Sequence, residues 1–241
     1  MGRTSTHASL LEAFQTEGCP VCRLALNSAR SYLHSLSYEG GLTDPDVRDR
    51  LRASHGFCSR HAYLWLDQQH VLGTAILYDD LLAHISEELR NLRYRRRGGL
   101  SGLTAWSGGR SQGEALNPHE PCIPCQVEAD TELFATRTLL SSLSEPEFWR
   151  LYRDSAGLCL PHLQMALEAA ETEESFAQLV EATVHQHEAL RQLLQQIIRR
   201  HDYRFSDEAT GEERGAEAQA VRKIAGEPGM AAAARAPRRR H

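Results

Sequence analysis

Apolar residues recur at three- and four-residue spacing along most of the chain, and nowhere do they alternate long enough to suggest a strand pair. This periodicity predicts helices over Leu10–Thr16, Val21–Tyr38, Pro45–Ala53, Arg60–Gln69 and Gly73–Tyr94 in one stretch. A second stretch repeats the series over Ile123–Leu143, Pro146–Asp154, Pro161–Ala170 and Glu174–Arg200. Asp44-Pro45 and Glu145-Pro146 read as helix starts, because proline lacks only a donor that the first turn leaves unpaired. The expected fold class is all-α.

Between the two series, Gly98 to Asn117 carries six glycines and little apolar content to order it, which predicts a flexible linker. After Phe205 the chain is charged and poor in large apolar groups, so residues 206–241 are expected to be mostly disordered, with a short helix near Glu213 to Ala225. Asp202-Tyr203-Arg204-Phe205 is expected to dock its aromatics on the body. The expected organisation is thus a first helical repeat at 1–97, a linker at 98–119, a second repeat at 120–205 and a tail.

The two series are copies of one pattern. Cys19-Pro20-Val21-Cys22 precedes Gly56-Phe57-Cys58-Ser59-Arg60-His61, and Cys122-Ile123-Pro124-Cys125 precedes Gly157-Leu158-Cys159-Leu160-Pro161-His162. From Pro45 and Pro146 onward the halves align without a gap at an offset of 101, pairing His84 with His185 and Glu87 with Glu188; the CxxC pairs lie at an offset of 103. An internal repeat at this spacing predicts two copies of one helical unit about a pseudo-twofold axis.

The six cysteines of the chain are all consumed by this repeat, three in each half, with one histidine at the same place in each. That is the inventory of two tetrahedral sites of three thiolates and one imidazole, a set that suits zinc. The expected sites are Cys19, Cys22, Cys58 and His61 in one half, and Cys122, Cys125, Cys159 and His162 in the other. Each ion would staple its repeat by closing a loop of about 35 residues, replacing apolar burial that a small unit lacks. Three cysteines and a histidine can also hold an iron–sulfur cluster, and CxxC also occurs in dithiol redox proteins, though no βαβ pattern accompanies it here.

A second constellation lies on the long helices: Asp80, His84 and Glu87 in one half, and Glu181, His185 and Glu188 in the other. Spacings of four and three residues put each trio on one face, as in dinuclear metal sites of helical bundles. Their centres lie well away from the apolar stripes of the same helices, so the trios are expected to face solvent; an enzyme would need them to meet. His70, His187 and His201 have no repeat partners, and Trp65, Phe148 and Trp149 read as core. No phosphate loop, nucleophile elbow or HExxH pair is present, so the common nucleotide, hydrolase and metalloprotease classes lack support.

The net charge of −5 is unevenly spread. Arg93 to His119 carries +4 and the tail from Ser206 carries +1, which leaves −10 on the remainder. An acidic body repels phosphate, so nucleic acid is not an expected partner of the folded part. No run approaches the roughly 18 apolar residues of a membrane span, and the polar amino terminus lacks a secretory core, which predicts a cytoplasmic protein without membrane contact.

With Asp202-Tyr203-Arg204-Phe205 and Gly211-Glu212-Glu213 added to the repeated CxxC and G-[FL]-C-x-x-H motifs, the chain resembles a bacterial family known as a domain of unknown function, over Leu10 to Ala225. The resemblance implies a helical cysteine-motif protein and falls on the eight metal-ligand candidates; it implies no activity. The resulting expectation is a protein with two structural zinc ions that acts on protein partners as an interaction or regulatory module.

Overall fold

The structure is a computed structural model that describes residues 3–38, 41–93, 112–201, 204, 211 and 213–230. Among these residues there are ten α-helices and no strand. They are α1 (Arg3–Phe14), α2 (Pro20–Tyr38), α3 (Pro45–Ala53), α4 (Ser59–Leu66), α5 (Val71–Asn91), α6 (Ile123–Ser142), α7 (Pro146–Arg153), α8 (Leu160–Ala169), α9 (Glu173–Arg200) and α10 (Ala216–Ala225). No helix among the described residues is long and apolar enough to cross a membrane.

Helix starts follow local chemistry. The Asp44 carboxylate accepts the Asp46 N–H at 2.9 Å ahead of Pro45, and the Thr172 hydroxyl accepts the Ser175 N–H at 3.1 Å ahead of α9. Helix α1 begins well before the expected Leu10, at Arg3. Its last turns bury Leu10 and Phe14, and Phe14 lies edge-on to Phe148.

The chain divides into two compact units, which do not coincide with the successive repeats expected at 1–97 and 120–205. Unit 1 is Met1–Ser28 with Glu128–His241, and unit 2 is Ala29–Val127. The reason lies in the two helices that open on CxxC motifs. The first turns of α2 belong to unit 1 and its later turns to unit 2, while α6 begins in unit 2 and continues in unit 1. The core of unit 1 gathers Leu10, Phe14, Val21, Leu139, Phe148, Tyr152, Leu158 and Leu179, with Trp149 half-buried against it. That of unit 2 gathers Leu33, Leu51, Phe57, Trp65, Leu77, Leu81 and Ile123, and Trp65 Nε1 donates to Thr74 Oγ1 at 2.9 Å.

The helix series α2–α5 and α6–α9 follow the same order. A side chain at Gly56 would run into Leu81, whereas one at Gly157 would run into Gln186; the counterpart of Leu81 at the offset of 101 is the buried Ala182, whose methyl is too short to reach.

The expected linker is described only from residue 112. There Gln112–Leu116 forms a short 3-10 turn, and the N–H groups of His119 and Glu120 both donate to the Ala53 carbonyl, at 2.7 and 3.2 Å. The short helix expected near Glu213 to Ala225 is α10, which packs on α8 and α9, burying Ala216 and Lys223, and buried Glu213 pairs with Arg200. Tyr203 and Phe205, expected to dock, lie outside the described residues.

Candidate metal centres

Two groups of four side chains come together, and each draws on both halves of the sequence. Cys19, Cys22, Cys159 and His162 form site 1, inside unit 1; Cys58, His61, Cys122 and Cys125 form site 2, inside unit 2. The expected partition, with each CxxC served by the CxxH of its own half, is corrected to a crossed one. Both partitions use identical residue types in identical numbers, so the repeat could not distinguish them. Crossing lengthens the closed loop, since Cys22 and Cys159 are 137 residues apart. Relative to about 35 residues this adds only about 1 kcal/mol of closure entropy, because that cost grows with the logarithm of length.

Every ligand sits at a helix start. Cys58 and Cys159 cap α4 and α8 in extended backbone, with φ/ψ of −62°/162° and −70°/162°, and neither sulfur is used in a cap hydrogen bond. Each follows a glycine in the left-handed region, Gly56 at φ 81° and Gly157 at φ 66°, a conformation that turns the chain sharply into the helix. Their carbonyls take the first helical N–H groups, from Ala62 and Leu163, both at 2.8 Å. Cys19 and Cys122 do the same ahead of α2 and α6, accepting from Arg23 and Gln126. CxxC and CxxH are thus one device, a capping cysteine followed by a second ligand one turn inside. Two such helix starts converge on each site, and their dipoles favour thiolates.

The spacing matches a single tetrahedral ion. In site 1 the His162 Nδ1 lies 3.5, 3.3 and 3.2 Å from the sulfurs of Cys19, Cys22 and Cys159, and Cys22 Sγ lies 3.6 Å from Cys159 Sγ. In site 2 His61 Nδ1 lies 3.4, 3.5 and 3.4 Å from Cys58, Cys122 and Cys125, and Cys58 Sγ lies 3.6 Å from Cys125 Sγ. Metal–sulfur bonds of about 2.3 Å and a metal–nitrogen bond of about 2.0 Å at tetrahedral angles give edges of about 3.8 Å between sulfurs and about 3.5 Å from sulfur to nitrogen. All six cysteines are unbridged.

The surroundings differ. All four ligands of site 1 are buried, whereas Cys58 and Cys125 of site 2 are partly exposed. Behind His162, Nε2 faces the Glu132 carboxylate of α6 at 3.6 Å, the arrangement that orients a ligating imidazole. Gly226, just after α10, lies over site 1: a Cβ there would sit 3.7 Å from both Cys22 and Cys159 sulfurs. Lys223, the only lysine of the chain, donates to the Ala156 carbonyl at 2.7 Å and to Gln186 Oε1 at 2.9 Å. Burial pulls its pKa down to about 8, while the thiolates of Cys19 and Cys159 work in the other direction. A cavity of about 380 Å³ lies beside Cys19, Cys159 and Lys223. Site 2 has instead a guanidinium, Arg60, reaching 4.0 Å from Cys125 Sγ.

Without an ion, each cluster shares out protons. Burial opposes ionisation of Cys19, but hydrogen bonds from Cys159, Cys22 and His162 outweigh it and hold that thiol well below its ordinary range. Cys22 is pushed up by the bonds it shares with Cys159 and Cys19. Burial works against a charged His162, yet Cys159, Cys19 and Glu132 raise it to about 12. An arriving cation expels these protons, so metal affinity falls as pH falls.

The second constellation does not assemble into a metal group among the described residues. Asp80 is bound by Arg52 and Arg48 at 2.6 and 2.7 Å, and Glu87 pairs with Arg90 at 2.9 Å on the exposed side of α5. His84 turns to Glu88, 3.6 Å away, which also faces His55 at 3.2 Å. Glu181, His185 and Glu188 are exposed, as expected. Sequence reasoning missed Glu132, Arg60 and the α10 cover. Glu132 had a readable signal: at the offset of 103 it replaces Ala29, a carboxylate where the first copy has a small apolar residue.

A model of a family of unknown function, DUF6062, matches residues 1–230, and the chain belongs to that family. No curated protein and no solved structure matches it.

Proposed function

We propose that this is a zinc protein with one structural ion in each unit, and that it serves as an interaction or regulatory module for protein partners. The observation that carries the reading is the pair of Cys₃His groups with the edge lengths of a tetrahedron. A cluster spreads its ligands over several irons and so sets them further apart than one ion does, which favours zinc over iron–sulfur. Each ion would have four protein ligands and no open position for a substrate, which favours a structural over a catalytic role.

The interaction role is supported by exposed apolar groups around the turn between α4 and α5, where Tyr63, Leu66, Val71 and Leu72 are all more than half exposed. Reduced cysteines and the charge balance fit a reducing compartment and a partner other than nucleic acid. Metal analysis and X-ray absorption of the purified protein test the central reading. Two zinc ions per chain, each with three sulfur and one nitrogen neighbours, are expected; a brown protein containing iron and sulfide would overturn it.

A further inference from the structure

We propose that site 2 is an oxidant-responsive site: peroxide converts Cys58 and Cys125 to a disulfide and releases the ion, while site 1 keeps its own. This rests on the reading that both sites hold an ion. The two sulfurs are 3.6 Å apart, both partly exposed, and they are contributed by different helix starts, α4 and α6. The other two ligands of the site, His61 and Cys122, are buried, so the accessible edge of the site is the one these cysteines form.

The chemistry balances with peroxide alone as co-reactant. One thiolate attacks a peroxide oxygen, breaking the O–O bond and becoming a sulfenic acid as hydroxide departs. The second thiolate then attacks the sulfenic sulfur, the S–S bond forms and a second hydroxide leaves. Two electrons pass from the two sulfurs to the two peroxide oxygens, which end as water once protonated. Arg60, 4.0 Å from Cys125 Sγ, places a positive charge where that sulfur carries negative charge and where hydroxide departs. What remains, Cys122 and His61, is two ligands, too few for a closed structural site. A small dithiol reverses the reaction by exchange.

Site 1 has the same pair of sulfurs at the same separation, Cys22 and Cys159 at 3.6 Å, but they are 0% and 1% exposed and lie beneath Gly226. Where Arg60 stands in site 2, the repeat places Pro161. Site 1 has a cation of its own nearby, Lys223, beside the cavity that Cys19 and Cys159 line, so at equal sulfur separation what distinguishes the sites is the exposure of the paired sulfurs, and susceptibility to oxidation follows access.

The test treats the intact zinc-loaded protein with hydrogen peroxide, follows zinc release with a chromogenic chelator and locates disulfides by peptide mass spectrometry. Starting from two ions per chain, site 2 is expected to lose its ion at least about tenfold faster than site 1, with Cys58 joined to Cys125. Arg60→Gln, which leaves all four ligands in place, is expected to keep both ions and slow that first release. Release of both ions at one rate, faster loss from site 1, or release without a Cys58–Cys125 disulfide overturns the proposal. Fewer than two ions before peroxide is added is a different failure, that of the zinc reading itself.

Discussion

Site 1 and site 2 are built from the same four residues, three cysteines and one histidine, on the same two kinds of helix start, and they differ in what surrounds them. Around site 1 stand a carboxylate behind its histidine, a C-terminal helix packed nearby and a glycine directly over two of its sulfurs. Site 2 has an arginine at one sulfur and two cysteines partly in solvent. The ligand set decides that an ion can be held; the shell around it decides how readily the ion is reached, exchanged or lost.

The largest expected effect comes from removing a ligand. Cys159→Ser should reduce the ion count from two to one and destabilise unit 1 by about 5 kcal/mol or more, a fraction of the roughly 10–16 kcal/mol that a structural zinc supplies. Thermal unfolding with metal analysis checks this, and undiminished stability would mean that site 1 does not support its unit. Next in size, ending the chain at Gly211 removes α10 and Gly226. Zinc transfer from site 1 to a strong chelator should then accelerate towards the rate of site 2, so that the two sites converge. If site 1 remains slow, α10 is not its cover.

Glu132→Gln should sharpen the contrast from the other side, weakening zinc binding at site 1 by about 10- to 100-fold and leaving site 2 unchanged, as read by chelator competition. The smallest effect is expected from Arg60→Gln, a few-fold change in exchange at site 2 and none at site 1, because a charge 4.0 Å from one sulfur is a modest perturbation.

The helices and the ligand inventory were legible because each rests on local signals. Apolar spacing, Pro45 and Pro146 at helix starts, and cysteines three residues apart on one turn are all properties of short segments. The partition of the ligands was not legible. Cys22 with Cys58 and Cys22 with Cys159 are chemically the same contact, and only the passage of α2 and α6 from one unit to the other separates them. The tail helix near Glu213 to Ala225 was legible too, but not its packing: Ala216 and Lys223 become buried only because α8 and α9 offer a surface to cover.

The crossed partition is the central claim, and alkylation of the Cys22→Ser protein tests it most directly. Labelling the zinc-loaded variant with iodoacetamide and mapping the modified cysteines should find Cys19 and Cys159 reactive, with Cys58, Cys122 and Cys125 still protected by the ion of site 2. Reactive Cys58 alongside protected Cys159 would mean that each half binds its own ion, and would contradict the account.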